Sequence, residues 1–186
     1  MNYIDQIIET INTSLASSLD CPQAVIYGLT ELITKDGKTF PIQVQGAEGC
    51  EIVFDDRKPL QIYHRLIDVR KEASPLSGVG DQIYEAFTAQ VRLFGIGNKD
   101  SFTPMCMESN LEWANKVDIA IIRKFTPGIT GFTNVRIGVS SMNSHQSEII
   151  EAEFKGFSTQ KLNPLKVIAF SIDYSITGFI CENVCV

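Results

Sequence analysis

Apolar and polar residues alternate along 170–177, with Phe170, Ile172, Tyr174 and Ile176 on one side and Ser171, Asp173, Ser175 and Thr177 on the other. Side chains on a strand point to opposite faces in turn, so the pattern predicts a long β-strand over 167–180 with one dry and one wet face. A slip of one residue would expose the whole apolar set, which fixes the register. Near the start of the chain the period changes. Ile4, Ile7, Ile8, Ile11 and Leu15 recur at helical spacing and predict an amphipathic helix over 2–18. Asn2 can cap it, Asp5 suits its positive end, and Pro22 cannot continue it.

Two β-rich runs follow, 24–33 and 39–45, joined by Lys35-Asp36-Gly37-Lys38. Asp-Gly tolerates positive φ, so the pair predicts a hairpin, and Pro41 marks its second strand as an edge or a starting position. A short strand is expected over 51–54. Residues 60–70 alternate poorly, but their aromatic and β-branched content favours a strand. Residues 83–96 read as another long strand, with Phe87, Ala89, Val91 and Leu93 on one face. A second helix is expected over 109–124, where Trp113, Val117, Ala120 and Ile121 share a face. A strand follows over 132–140, and residues 144–155 fit either type. Loops are expected near 73–81 and 98–107, the first rich in glycine with Ser74-Pro75 before it. The pattern therefore predicts one α+β domain over 1–186: a twisted, mostly antiparallel β-sheet with an N-terminal helix and a second helix packed on it.

The composition narrows the classes of function. A net charge of −6 at pH 7 argues against nucleic-acid binding through the average field, because phosphate contacts need clustered Lys and Arg. The opening residues lack a basic start, which predicts no secretory leader. No run of about 18 apolar residues occurs, so no helical bilayer span is expected. The five cysteines, Cys21, Cys50, Cys106, Cys181 and Cys185, form an odd set without an export signal and suggest reduced thiols.

Candidate chemistry is sparse. The two histidines are His64 and His145. Cys106 or Cys50 with His64 is the one conceivable nucleophile and base, and no local motif supports either pairing. Cys181 and Cys185 are two thiols four apart without a second pair, and on a strand they would stand roughly 13 Å apart, too far for one ion. Gly95-Ile96-Gly97 and Gly78-Val79-Gly80 lack the third glycine and the following helix of a phosphate loop. Asp55-Asp56 reads as a solvated turn. No catalytic, cofactor-binding or metal-binding residue is assigned, and no enzyme activity or cofactor is expected.

The order of elements, with the helix at 4–15, the long strand at 87–96 and the strand at 167–180, resembles the small α+β proteins at the head–tail junction of tailed bacteriophages. These are tail terminators and neck or connector-ring subunits. The loops near 73–81 and 98–107 are additions to the simplest members. The resemblance implies a structural virion protein assembled in the host cytoplasm as a homo-oligomeric ring. It also implies contact with other phage neck and tail proteins, passage of DNA through the lumen without sequence-specific binding, and no membrane. A mean acidic charge is compatible with a conduit that does not trap phosphates. Two other classes stand beside it: a small thiol-dependent hydrolase using Cys106 and His64, and a cytosolic adaptor module.

Overall fold

The structure, a computed structural model, describes residues 3–19, 24–43, 50–51, 58–73, 84–98, 112, 114–119, 132–156 and 167–181. Helix α1 (Tyr3–Ser18) opens the chain. A hairpin of β1 (Val25–Lys35) and β2 (Lys38–Gln43) follows, then the two-residue strand β3 (Cys50–Glu51). Two long strands, β4 (Gln61–Ala73) and β5 (Tyr84–Asn98), precede α2, helical at 112 and 114–119. The remaining elements are β6 (Phe132–Asn143), α3 (Gln146–Glu153) and β7 (Val167–Cys181).

The seven described strands form one sheet in the order β3-β2-β1-β4-β5-β7-β6. Only β1 and β4 run parallel; every other neighbouring pair is antiparallel. The α+β class is therefore observed. Asp36 (φ 52°) and Gly37 (φ 73°) both take positive φ, the backbone that a two-residue hairpin turn needs. Pro41 lies on β2 beyond the reach of β3, which pairs only Ile42 and Gln43. Farther along the same edge, the N–H of Thr39 donates to the carbonyl of Lys155 at 2.8 Å, so the chain leaving α3 covers part of the β2 border.

One face of the sheet carries the main core. Ile4, Ile7, Ile8, Ile11 and Leu15 of α1 are fully buried against Phe87, Ala89, Val91 and Leu93 of β5 and Phe170, Ile172, Tyr174 and Ile176 of β7. Burying each such aliphatic or aromatic side chain contributes about 1.5–3 kcal/mol. Ala114 and Val117 of α2 join this cluster. Helix α3 lies on the opposite face, where Ile149 and Phe154 pack with Tyr63, Phe94, Ile96, Val167 and Ala169.

Helix α3 changes the expected wet face of β7. Ser171 is buried beneath this second layer, and Asp173 is half-buried in a polar network. In β4 the register shifts between Leu66 and Asp68. The extra residue, Ile67, is left 54 % exposed. That bulge explains the poor alternation of 60–70: one strand holds two phases of the same pattern. The expected loops near 73–81 and 98–107 lie outside the described residues, apart from Ala73 and Asn98 at strand ends. Asn2, Asp55-Asp56, Trp113, Ala120 and Ile121 also lie outside them.

Candidate functional site

His64 lies wholly inside the protein, on the α1 side of β4. Its Nε2 is 2.7 Å from Asn12 Oδ1, and its Nδ1 is 2.9 Å from the Tyr174 hydroxyl. The amide of Asn12 donates to the carbonyl of Tyr27 at 3.0 Å, so its Oδ1 is the atom that accepts from His64. Nε2 therefore carries the proton, and Nδ1 accepts from Tyr174. The chain of bonds runs in one direction through β7, β4, α1 and β1. Burial holds the imidazole neutral and lowers its pKa from 6.5 to about 3. The same desolvation pushes the Tyr174 hydroxyl well above its ordinary range.

Both ring nitrogens of His64 are thus engaged, and the ring has no lone pair to offer a thiol. Cys106 lies outside the described residues. Cys50 sits on β3, three strand spacings in the sheet order from β4, which carries His64. His145 is exposed immediately before α3, where its backbone N–H donates to Asn143 Oδ1 at 2.7 Å. Among the described residues no group of three His, Cys, Asp or Glu is placed to hold a metal ion.

Polar chemistry gathers on the other face. Arg65 binds Glu153 of α3 with both terminal nitrogens, Nη1 to Oε1 at 2.7 Å and Nη2 to Oε2. The Tyr63 hydroxyl donates to Glu153 Oε2 at 3.1 Å, and the Arg65 guanidinium lies 4.8 Å from the centre of the Phe94 ring. Burial and the adjoining Glu153 charge push the Tyr63 hydroxyl well upward. Directly across the sheet, Arg65 pairs in register with Arg92, and Arg92 with Asp173. Arg92 grips Asp173 with Nε and Nη2, and the Ser141 hydroxyl donates to Asp173 Oδ2 at 3.1 Å. The Arg92 hydrogen bonds hold the Asp173 carboxyl below its usual range.

A second row of side chains crosses the same four strands farther from α3. Arg70 of β4 faces Thr88 of β5, Thr88 faces Thr177 of β7, and Thr177 faces Arg136 of β6. Arg70 and Arg136 are exposed and the two threonines half-exposed. A shallow cavity of about 400 Å³ opens here, lined by Ala86, Thr88, Arg136, Thr177, Gly178 and Phe179 among others. It adjoins a bulge in β6, where the register shifts between Thr133 and Arg136 and Asn134 takes φ 51°. Among the described residues Arg136 makes no ion pair, whereas Arg70 pairs with Asp68 at 2.8 Å.

The glycines noted in Gly95-Ile96-Gly97 have a packing role. A Cβ on Gly95 would fall 2.2 Å from the Phe170 ring, and one on Gly97 would fall 1.9 Å from the carbonyl oxygen of Pro59. Sequence patterning missed the Arg65–Glu153 and Arg92–Asp173 pairs. The available signal was slight: Asp173 is the single charged residue of 167–181, set among Ser171, Ser175 and Thr177 on the polar face of the strand.

No protein-family model matches the chain, and no curated protein matches it in sequence. No described helix is long and apolar enough to cross a membrane.

Proposed function

We propose that this chain is a structural, ring-forming subunit of the head–tail junction of a tailed bacteriophage, acting as tail terminator or connector. The observation that carries this reading is the border formed by β6. It is a twelve-residue strand at the end of the sheet, with no strand beyond it among the described residues. An unpaired border offers backbone N–H and C=O groups to another chain. Repeated by rotation, such a contact closes a ring.

Bulges interrupt β6 on either side of 136–139, where four consecutive residues pair regularly with β7. A short straight stretch between bulges favours limited, defined pairing over open-ended stacking. The closed hydrogen-bond chain around His64 supports a structural role for that residue. Among the described residues, acids offset Arg65, Arg70 and Arg92 on the sheet, in keeping with a surface that lets DNA pass without holding it.

Native mass spectrometry and negative-stain microscopy of the purified chain test the proposal, alone and with portal and tail proteins from the same genome. The expected result is a closed annulus. A proline at Ser140, which borders the 136–139 stretch and which the register between β6 and β7 skips, is expected to weaken the ring; it also removes the Ser140 hydroxyl that donates to the Asp173 carbonyl at 3.1 Å, so circular dichroism checks that the variant folds. A chain that stays a single subunit at every concentration and beside those partners would overturn the proposal.

A further inference from the structure

The sheet face opposite α1 is divided. One half lies under α3; the other carries the rows Asp68–Gln90–Ser175–Gly138 and Arg70–Thr88–Thr177–Arg136, all exposed or half-exposed. We propose that this bare half is a docking surface for α3 of a second copy of the chain, the two copies being related by a two-fold axis.

Shape is the first support. Four strands span about 14 Å across, and the steps from Asp68 through Arg70 to Glu72 span about 13 Å along the strands. An eight-residue helix is about 12 Å long and about 10 Å wide with its side chains. Each copy therefore presents one helix and, on the same face, one half of matching size with no described helix or strand packed over it. Turning one copy by a half-rotation sets each helix into the other's bare half. Such a contact is self-complementary, and every interaction occurs twice.

Charge is the second support. The outer side of α3 presents Ser147, Glu148, Glu151 and Ala152, all exposed. Glu148 and Glu151 are three apart and so share one helix face. Arg136, without an ion-pair partner among the described residues, stands beside the cavity next to Thr177 and Phe179. Asp68 and Glu72 share the bare half but lie on β4, three strand spacings from Arg136 on β6. The arrangement directs the incoming acids toward the β6 side. Nucleic acid fits this surface less well, because among the described residues Arg65, Arg70 and Arg92 of this face already hold carboxylates, and Arg136 by itself gives weak phosphate binding.

This contact uses a face, whereas the ring reading uses the β6 border; Arg136 lies within the 136–139 stretch of that border, so the pair Glu148→Arg/Glu151→Arg, which leaves β6 unchanged, separates the two readings, and two stacked rings would contain both. Sedimentation equilibrium and native mass spectrometry of the full chain provide the test, using Arg136→Glu, the pair Glu148→Arg/Glu151→Arg, and all three changes together. All three positions are exposed, and circular dichroism checks that the variants fold. The expected result is a wild-type species built from pairs, a dissociation constant raised about tenfold or more in either partial variant, and recovery when the charges are exchanged on both sides. With Ser140→Pro added, pairs are expected to persist as isolated dimers.

Equal association of wild type and both partial variants would overturn the docking inference and leave the ring reading standing. A wild type that never pairs would overturn it as well. Salt-sensitive retention of a short DNA duplex by the wild type but not by Arg136→Glu, without any change in mass, would assign the face to nucleic acid and equally overturn it.

Discussion

The hydroxyl of Tyr174 donates to Nδ1 of His64 across 2.9 Å, although 110 residues separate the two in the chain. Tyr174 belongs to β7 and His64 to β4, and β5 lies between those strands. The bond therefore passes over an intervening strand and ties together elements that share no ladder. Asn12 extends the tie into α1. A buried polar chain of this kind contributes only while every member is satisfied, since an orphaned group keeps its full desolvation cost.

Replacing Tyr174 with Phe removes the donor and leaves the buried Nδ1 unmatched. The expected loss is about 1–3 kcal/mol of unfolding free energy in urea titrations. In a His64→Leu background the same replacement should cost less, because the orphaned nitrogen is gone. Identical losses in both backgrounds would mean that the two side chains are not coupled.

Stability should fall as the solution is acidified, with a sign set by His64. Its folded-state pKa is lowered to about 3 from 6.5, so between those values the unfolded chain binds a proton that the folded chain refuses. The contribution is complete above pH 6.5 and declines toward pH 3, by up to about 1.4 kcal/mol per pH unit. Asp173, whose carboxyl is held below 3.8, adds a loss in the same direction at the acid end of that window. The difference between wild type and His64→Leu, measured by denaturant titration at successive pH values, isolates the histidine. Parallel curves for the two proteins would refute the assignment.

The sequence made some of this architecture plain. The stripe Ile4, Ile7, Ile8, Ile11, Leu15 and the set Phe170, Ile172, Tyr174, Ile176 are legible because each element keeps one period against one continuous core. The Asp36-Gly37 turn is legible because its backbone needs residues that tolerate positive φ. Residues 60–70 were hard to read because the bulge at Ile67 changes the phase of the pattern halfway along β4. The type of 144–155 stayed open because α3 is short and buries little besides Ile149 and the paired Glu153. The polar clusters depend on which strands become neighbours. Nothing local in the sequence announces that Arg65 will meet Glu153, 88 residues away.

Glu153 is 2 % exposed and its partner Arg65 17 %, so truncating the acid should be severe. Glu153→Ala leaves a guanidinium in a largely dry site and also removes the acceptor of Tyr63. The expected loss is about 3–5 kcal/mol. Replacing both partners with Arg65→Met and Glu153→Leu should restore much of that stability, since no charge then remains buried. Thermal and chemical unfolding of the three variants decide the point. A double variant as unstable as Glu153→Ala would show that the ion pair itself, rather than the stranded charge, holds α3 on the sheet.

Gly95 and Gly97 permit close approaches of different kinds, and paired substitutions can tell them apart. A methyl on Gly95 meets the side chain of Phe170 at 2.2 Å, and one on Gly97 meets the backbone oxygen of Pro59 at 1.9 Å. Both replacements by Ala should destabilise the fold by about 1–3 kcal/mol or more, as overpacking does. A shorter side chain can vacate the first clash, so Phe170→Leu should be less costly in the Gly95→Ala protein than in wild type. No side-chain change clears the second clash, and Phe170→Leu should add its ordinary core penalty to Gly97→Ala, about 1–3 kcal/mol for a large-to-small core substitution that stops short of Ala. Denaturation midpoints across this pair of cycles give the coupling directly. Equal coupling of Phe170 to both glycines would contradict the packing at this end of β5, where one glycine makes room for a ring and the other for the chain that enters β4.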